Sequence, residues 1–169
     1  MANNFVLLVY YFAVVHWVFA GRIEYQDCEG ITNSSSNVTL EMSDCPSGSN
    51  CTLVKGYTYY MTTKFTLQEN VKNMLVRVSG VMGRVRMPYT KDKPVCSEVT
   101  TEDGENCDPQ IGFQKGKSYS HVLNLPVRNI FPEISMRIRT EYFDSSRLTD
   151  NSIKLCFEVP IKIKKQTEV

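Results

Sequence analysis

The chain has 169 residues, a formal net charge of +1 and 42% hydrophobic residues, which suffices for one domain with a core of its own. The near-neutral balance offers no basic surface for nucleic acid. No stretch beyond residue 20 is long and apolar enough to span a bilayer, which takes about 20 residues.

Residues 1–20 carry no Lys, Arg, Asp or Glu, Phe5–Val15 is almost wholly apolar, and Val18-Phe19-Ala20 ends in small residues. This reads as a secretory signal peptide, with residues 21–169 as one mature domain. Ile23 and Tyr25 predict a short first strand. Asn33, Asn37 and Asn50 each open a glycosylation sequon, so all three are candidate glycan sites. Val38, Leu40 and Met42 alternate with polar residues and predict a second strand. After the turn Lys55-Gly56, one phase runs Tyr57, Tyr59, Met61, Thr63, Phe65 and Leu67, a long half-buried strand. Met74–Val78 begins another. Gly80 and Gly83 then mark a bulge, a bend or close backbone approach. Val85, Met87 and Tyr89 share the next inward phase, opposite Arg84, Arg86 and Pro88. Lys91–Ile111 has turn chemistry throughout.

Parity is sharpest in Ser118–Ile138. Tyr119, His121, Leu123, Leu125 and Val127 take one phase, and Ile134, Met136 and Ile138 take one phase of a following segment. Between them lies Arg128-Asn129-Ile130-Phe131, too apolar for a polar turn. The two segments read as a hairpin forming one wall and the lip of an apolar pocket. Pro126 donates no ladder hydrogen bond, which puts this part of its strand on an edge or at a bulge. The last strand carries Ile153, Leu155, Phe157, Val159, Ile161 and Ile163 inward, with Lys154, Cys156, Glu158, Lys162 and Lys164 on the wet phase.

All six cysteines follow the signal segment, which argues for a disulfide framework. Cys45 and Cys51 flank a turn-rich loop, Cys96 and Cys107 flank an acidic one, and Cys28 is left for Cys156. None of the spacings suits zinc, so no metal is expected. Seven or eight strands without helical periodicity predict an all-β sandwich or barrel. A true immunoglobulin domain wants a core disulfide beside a buried Trp. Here Trp17 leaves with the signal, and Cys156 lies on the polar phase, so its bond should cross the outside.

Several islands resemble the MD-2-related lipid-recognition (ML) family, including its small secreted sterol carriers, its group-two mite allergens and its varied arthropod members. They are Tyr25-Gln26-Asp27-Cys28, Cys51–Gly56 leading to Phe65-Thr66, Lys115–Ser120, Leu125-Pro126-Val127, Phe131-Pro132 and Leu155–Pro160. The resemblance covers nearly all of residues 21–169. It implies an immunoglobulin-like sandwich of two antiparallel sheets, about seven strands, the three disulfides above, and a lipid held between the sheets. It places ligand contacts at Val127, Phe131 and Met87. With the strand phases, the candidate lining becomes Tyr59, Met61, Phe65, Val85, Met87, Val127, Phe131, Ile138 and Phe157. Arg84 and Arg86 depart from the sterol carriers, which are apolar there.

The reading is a secreted, monomeric carrier of a sterol, fatty acid or other hydrophobic lipid, working outside the cell or in the lysosomal lumen without a cofactor. The alternative is an innate-immune protein that presents microbial lipid to a receptor. An enzyme is not expected: His121 is the one histidine left after the signal, and there is no Gly-x-Ser-x-Gly elbow and no free cysteine. Lys91 and Lys93, Lys115 and Lys117, and Lys162, Lys164 and Lys165 are solvated groups that could also touch anionic membranes.

Overall fold

The computed structural model describes residues 20–48, 50–146 and 152–166. Residues 1–19 of the segment read as a signal, with Trp17, lie outside the described residues. Among those residues the chain forms β1 (Ala20–Arg22), β2 (Gln26–Asp27), β3 (Ser35–Ser43), β4 (Cys51–Val54), β5 (Thr58–Leu67), β6 (Met74–Met82), β7 (Val85–Pro88), β8 (Lys93–Pro94), β9 (Val99–Thr101), β10 (Ser118–Pro126), β11 (Ser135–Asp144) and β12 (Ile153–Lys164). The first sheet runs β1-β3-β5-β10-β9. The second runs β2-β12-β11-β6-β7, with β4 beside β12 and β8 beside β6.

The long strands form where alternation is longest. On β5, Tyr59, Met61, Thr63, Phe65 and Leu67 are buried; on β10, Tyr119, His121, Leu123 and Leu125 are buried while Val122 and Asn124 are exposed. Facing phases of β11 and β12 bring Ile138, Tyr142, Leu155, Phe157 and Val159 against them, closing an apolar core between the sheets. The two sheets are antiparallel within themselves except where β4 runs parallel to β12.

Four expectations need correction. β10 and β11 are not a hairpin: β10 pairs with β5 and β9, whereas β11 pairs with β12 and β6. Residues 127–134 therefore cross from one sheet to the other, so the two strands form opposite walls. Ile23 and Tyr25 are not one strand; β1 joins the first sheet and β2 the second, and Ile23 makes a bridge to Gly48 between them. Lys91–Ile111 is not all turn, since β8 and β9 lie in it with Val95 and Val99 buried. The wet phase of β12 is partly covered: Lys154 bonds Glu69 at 2.7 Å and Glu158 pairs with Arg139 at 3.1 Å.

The three disulfides are Cys28–Cys156, Cys45–Cys51 and Cys96–Cys107. Cys28 and Cys156 are buried yet stand apart from the apolar core cluster, on the outer side of the second sheet. The segment before β3 covers them. Asn33 Nδ2 donates to Cys156 O at 3.2 Å and Cys156 N–H donates to Asn33 Oδ1 at 2.8 Å, so the amide mimics a neighbouring strand.

Candidate functional site

Where the sheets part, an apolar cavity of about 270 Å3 opens between them. Leu125 and Val127 line it from the first sheet and its continuation. Val78, Gly80, Ile138, Ile161 and Ile163 line it from the second, with Leu53 on β4. The 127–134 crossover supplies Phe131, Pro132 and Ile134. Short aliphatic side chains face one another here, and Gly80 contributes none. A Cβ at Gly80 would collide with the ε-methyl of Met136, which occupies that space.

The mouth is tied on two flanks. On one, Lys55 N–H donates to Lys164 O at 2.9 Å and Gly56 N–H donates to Val127 O at 2.7 Å, so the β4–β5 link grips both sheets. The hydroxyl of Tyr59 accepts from Val54 N–H at 2.8 Å beside it. On the other, the Tyr89 hydroxyl donates to Pro126 O at 2.7 Å, and the Phe131 ring lies 6.0 Å from that of Tyr89. Burial pushes the Tyr89 phenol up to about 12, with Arg128 opposing the rise, so it remains a donor at physiological pH.

The opposite end of the sandwich is filled. Phe65 and Tyr142 rings lie 5.3 Å apart, and Phe113 and Tyr119 4.9 Å apart. His121 is fully buried, with Nδ1 2.9 Å from the Tyr142 hydroxyl. Desolvation lowers its pKa to about 4, against the pull of Glu98, whose carboxylate is 3.7 Å from Nε2. Burial likewise raises the Tyr142 phenol. A neutral imidazole sealed among rings is a packing and hydrogen-bonding group. No cluster of metal-ligating side chains occurs among the described residues.

Charge sits on the outer face of the second sheet. Glu141 receives Arg139 at 2.9 Å and Arg86 at 3.3 Å, Glu158 receives Arg137 at 3.0 Å, and Arg77 pairs with Asp92 at 2.6 Å. Arg84 and Arg86 line a polar cleft on that face with Arg137, Arg139 and Glu158, separate from the apolar lining. Strand alternation thus lets β7 carry Arg86, next to Arg84 in the preceding turn, without placing charge in the cavity.

Of the sequence-predicted lining, the structure brings together Met87, Val127, Phe131 and Ile138. Tyr59, Met61, Phe65 and Phe157 are buried core residues outside that lining, because inward phase does not specify depth along the sandwich. Val85 is 56% exposed near the tip of the β6–β7 hairpin. Sequence reasoning missed Leu53, Val78, Tyr89, Leu125, Ile134, Met136, Ile161 and Ile163, although all but Leu53 and Val78 were visible on strand phases. Among the sequons, Asn37 and Asn50 are exposed in the left-handed region at φ 52° and 72°. Asn33 spends its amide on Cys156 and on Asp27 at 2.7 Å.

The sequence matches the ML domain family over residues 22–163. It is 27% identical over 147 residues to NPC intracellular cholesterol transporter 2 homolog a of Drosophila melanogaster, covering 87% of this chain and 91% of that protein. It is 28% identical over 144 residues to NPC intracellular cholesterol transporter 2 of Mus musculus, covering 85% and 87%. The fold is similar to the crystal structure of a Niemann-Pick type C2 protein from Japanese carpenter ant, with a TM-score of 0.64 at 24% identity, over 83% of this chain and 99% of that one.

Proposed function

Since this chain belongs to the ML domain family, we propose that it binds a sterol, fatty acid or similar lipid between its two sheets and carries it between membranes. The observation that carries this reading is the apolar cavity walled by both sheets and open at one end. Such a site holds a ligand chiefly by buried apolar area, about 25 cal/mol per Å2. At about 270 Å3 the cavity lies just below the usual range of about 300–1,000 Å3. A sterol-sized cargo therefore needs the mouth to part or the flexible Met87 and Met136 to move aside.

The protein is read as a carrier and not as an enzyme, in line with relatives named as cholesterol transporters. The three disulfides favour an oxidising compartment, either outside the cell or a lysosomal lumen, reached through a signal at residues 1–20. Presentation of a microbial lipid to a receptor gains no support from those relatives. The test is to secrete the full chain, extract it with organic solvent and identify the lipid by mass spectrometry. A sterol or acyl lipid near one per protein is expected. A chain that releases no lipid and takes up neither fluorescent sterol nor fluorescent fatty acid would overturn the reading.

A further inference from the structure

The two flanks of the mouth differ in how they are held. The β4–β5 flank is tied by main chain, with Lys55 and Gly56 bonded to opposite sheets. At the β7 flank, the polar link seen among the described residues is the side-chain bond from Tyr89 to Pro126 O. We propose that Tyr89 is a latch: its hydroxyl bars that flank, and release of the bond sets how fast lipid passes in and out. The inference rests on the carrier reading above.

Both ends of the latch suit the task. Tyr89 is firmly mounted, since the N–H groups of Tyr89 and Thr90 both donate to Val78 O, at 3.0 and 3.2 Å. Pro126 is held from one side only. β10 pairs with β5 as far as Pro126 opposite Thr58, and Val127 N–H donates to Tyr57 O at 2.8 Å, whereas β9 pairs with β10 only from Tyr119 to His121, so the outer edge of β10 has no strand partner at Pro126. Proline also brings no N–H to that edge. Among the described residues no strand ladder joins the Tyr89 segment to β10, so the two sheets can part at this flank with each ladder intact, and Phe131, tilted against the Tyr89 ring, moves with the opening. A ladder of many bonds would stay shut, whereas one net hydrogen bond shifts an opening equilibrium by only about two- to tenfold.

Tyr89→Phe keeps the ring against Phe131 and removes the hydroxyl. With lipid-stripped full-length secreted protein, stopped-flow measurements use cis-parinaric acid and dehydroergosterol as probes. Association and dissociation rates should both rise about two- to tenfold, with Kd nearly unchanged, because opening is eased in both directions. Amide exchange over the crossover residues 128–131 should speed up in the variant without any lipid. Unchanged rates would overturn the latch. So would a faster dissociation alone with a weaker Kd, which makes the hydroxyl a ligand contact. If neither probe binds wild type, the carrier reading falls, and amide exchange decides the latch by itself: equal exchange in both proteins overturns it.

Discussion

The two ends of the sandwich are built from the same strands, yet one is full and the other hollow. At the closed end Phe65, Phe113, Tyr119 and Tyr142 fill the gap with rings, and His121 fastens β10 to β11 through the Tyr142 hydroxyl. At the open end the same phases carry Leu125, Val78, Ile138 and Ile163, and Gly80 carries no side chain. Side-chain volume, with backbone pairing unchanged, decides where the sheets touch. Aromatics and a polar bolt make a wall that must not move; aliphatics and methionines make one that can.

Truncation in the full half should cost most. Phe157→Ala removes a fully buried ring packed 5.8 Å from Tyr25 and 6.5 Å from Tyr142. Denaturant unfolding should show a loss of about 3–5 kcal/mol, with probe binding nearly intact in the fraction still folded. If lipid binding falls first, the division into two halves is misplaced.

Acid tests the same half. His121 has its folded pKa lowered to about 4 by burial, against an ordinary value of about 6.5. The unfolded chain takes up the proton first, so this contribution is intact above pH 6.5 and is lost as pH falls from there to about 4. The loss is about 3 kcal/mol when complete. Glu98, held below the usual carboxylate range chiefly by Lys93, begins to lose its share only at the acid end of that window and continues to lose it below, and Tyr142 stays neutral throughout. Stability measured from pH 7 to pH 4 should fall in wild type and flatten in His121→Gln. Parallel curves for the two proteins would remove His121 from the account.

Phe131→Ala sharpens the contrast from the open side. The ring is half-buried over the cavity, so lipid-stripped stability should change by less than about 1 kcal/mol. Probe affinity should weaken by about tenfold, equivalent to about 1.4 kcal/mol. Both melts need stripped protein, because bound ligand raises apparent stability. An unfolding loss as large as that of Phe157→Ala would make Phe131 core.

The smallest effect concerns surface charge. Lys162, Lys164 and Lys165 are exposed. If they touch membrane, transfer between anionic vesicles should slow as salt rises, since exposed charges are screened within about 8 Å at physiological ionic strength. A flat rate leaves them as solubilising groups.

Strand phase was legible because alternation reports which face is buried. Tyr59, Met61 and Phe65 were placed inward on that basis, and they are inward. Alternation does not say which sheet a strand joins, and so β10 and β11 looked like one hairpin. It does not report depth either, which is why Phe65 and Phe157 stood on the lining while Ile161 and Ile163 did not. β8 and β9 are too short to show a period. Glu141 and Glu158 sit on the outward phase but are buried among arginines: Arg139 on its own strand and Arg77 across the ladder reach Glu141, and Arg137 and Arg139 reach Glu158 from β11, partnerships largely set by register between distant segments.

A carrier spends part of every cycle without cargo, and bare apolar walls facing a void forfeit contacts on one side. The glycine at position 80 lets Met136 act as ballast. Its methyl lodges in the space a larger residue would fill, and it shares that niche with the Met87 methyl. Ballast can be shifted when freight comes aboard and returned when it leaves. Because a thioether chain has many settings of similar energy, freight of different outline can be stowed by re-trimming one side chain, with the strands left where they are. Gly80→Ala would fix the ballast amidships: the hold would shrink, and the bulkiest cargoes would be refused first.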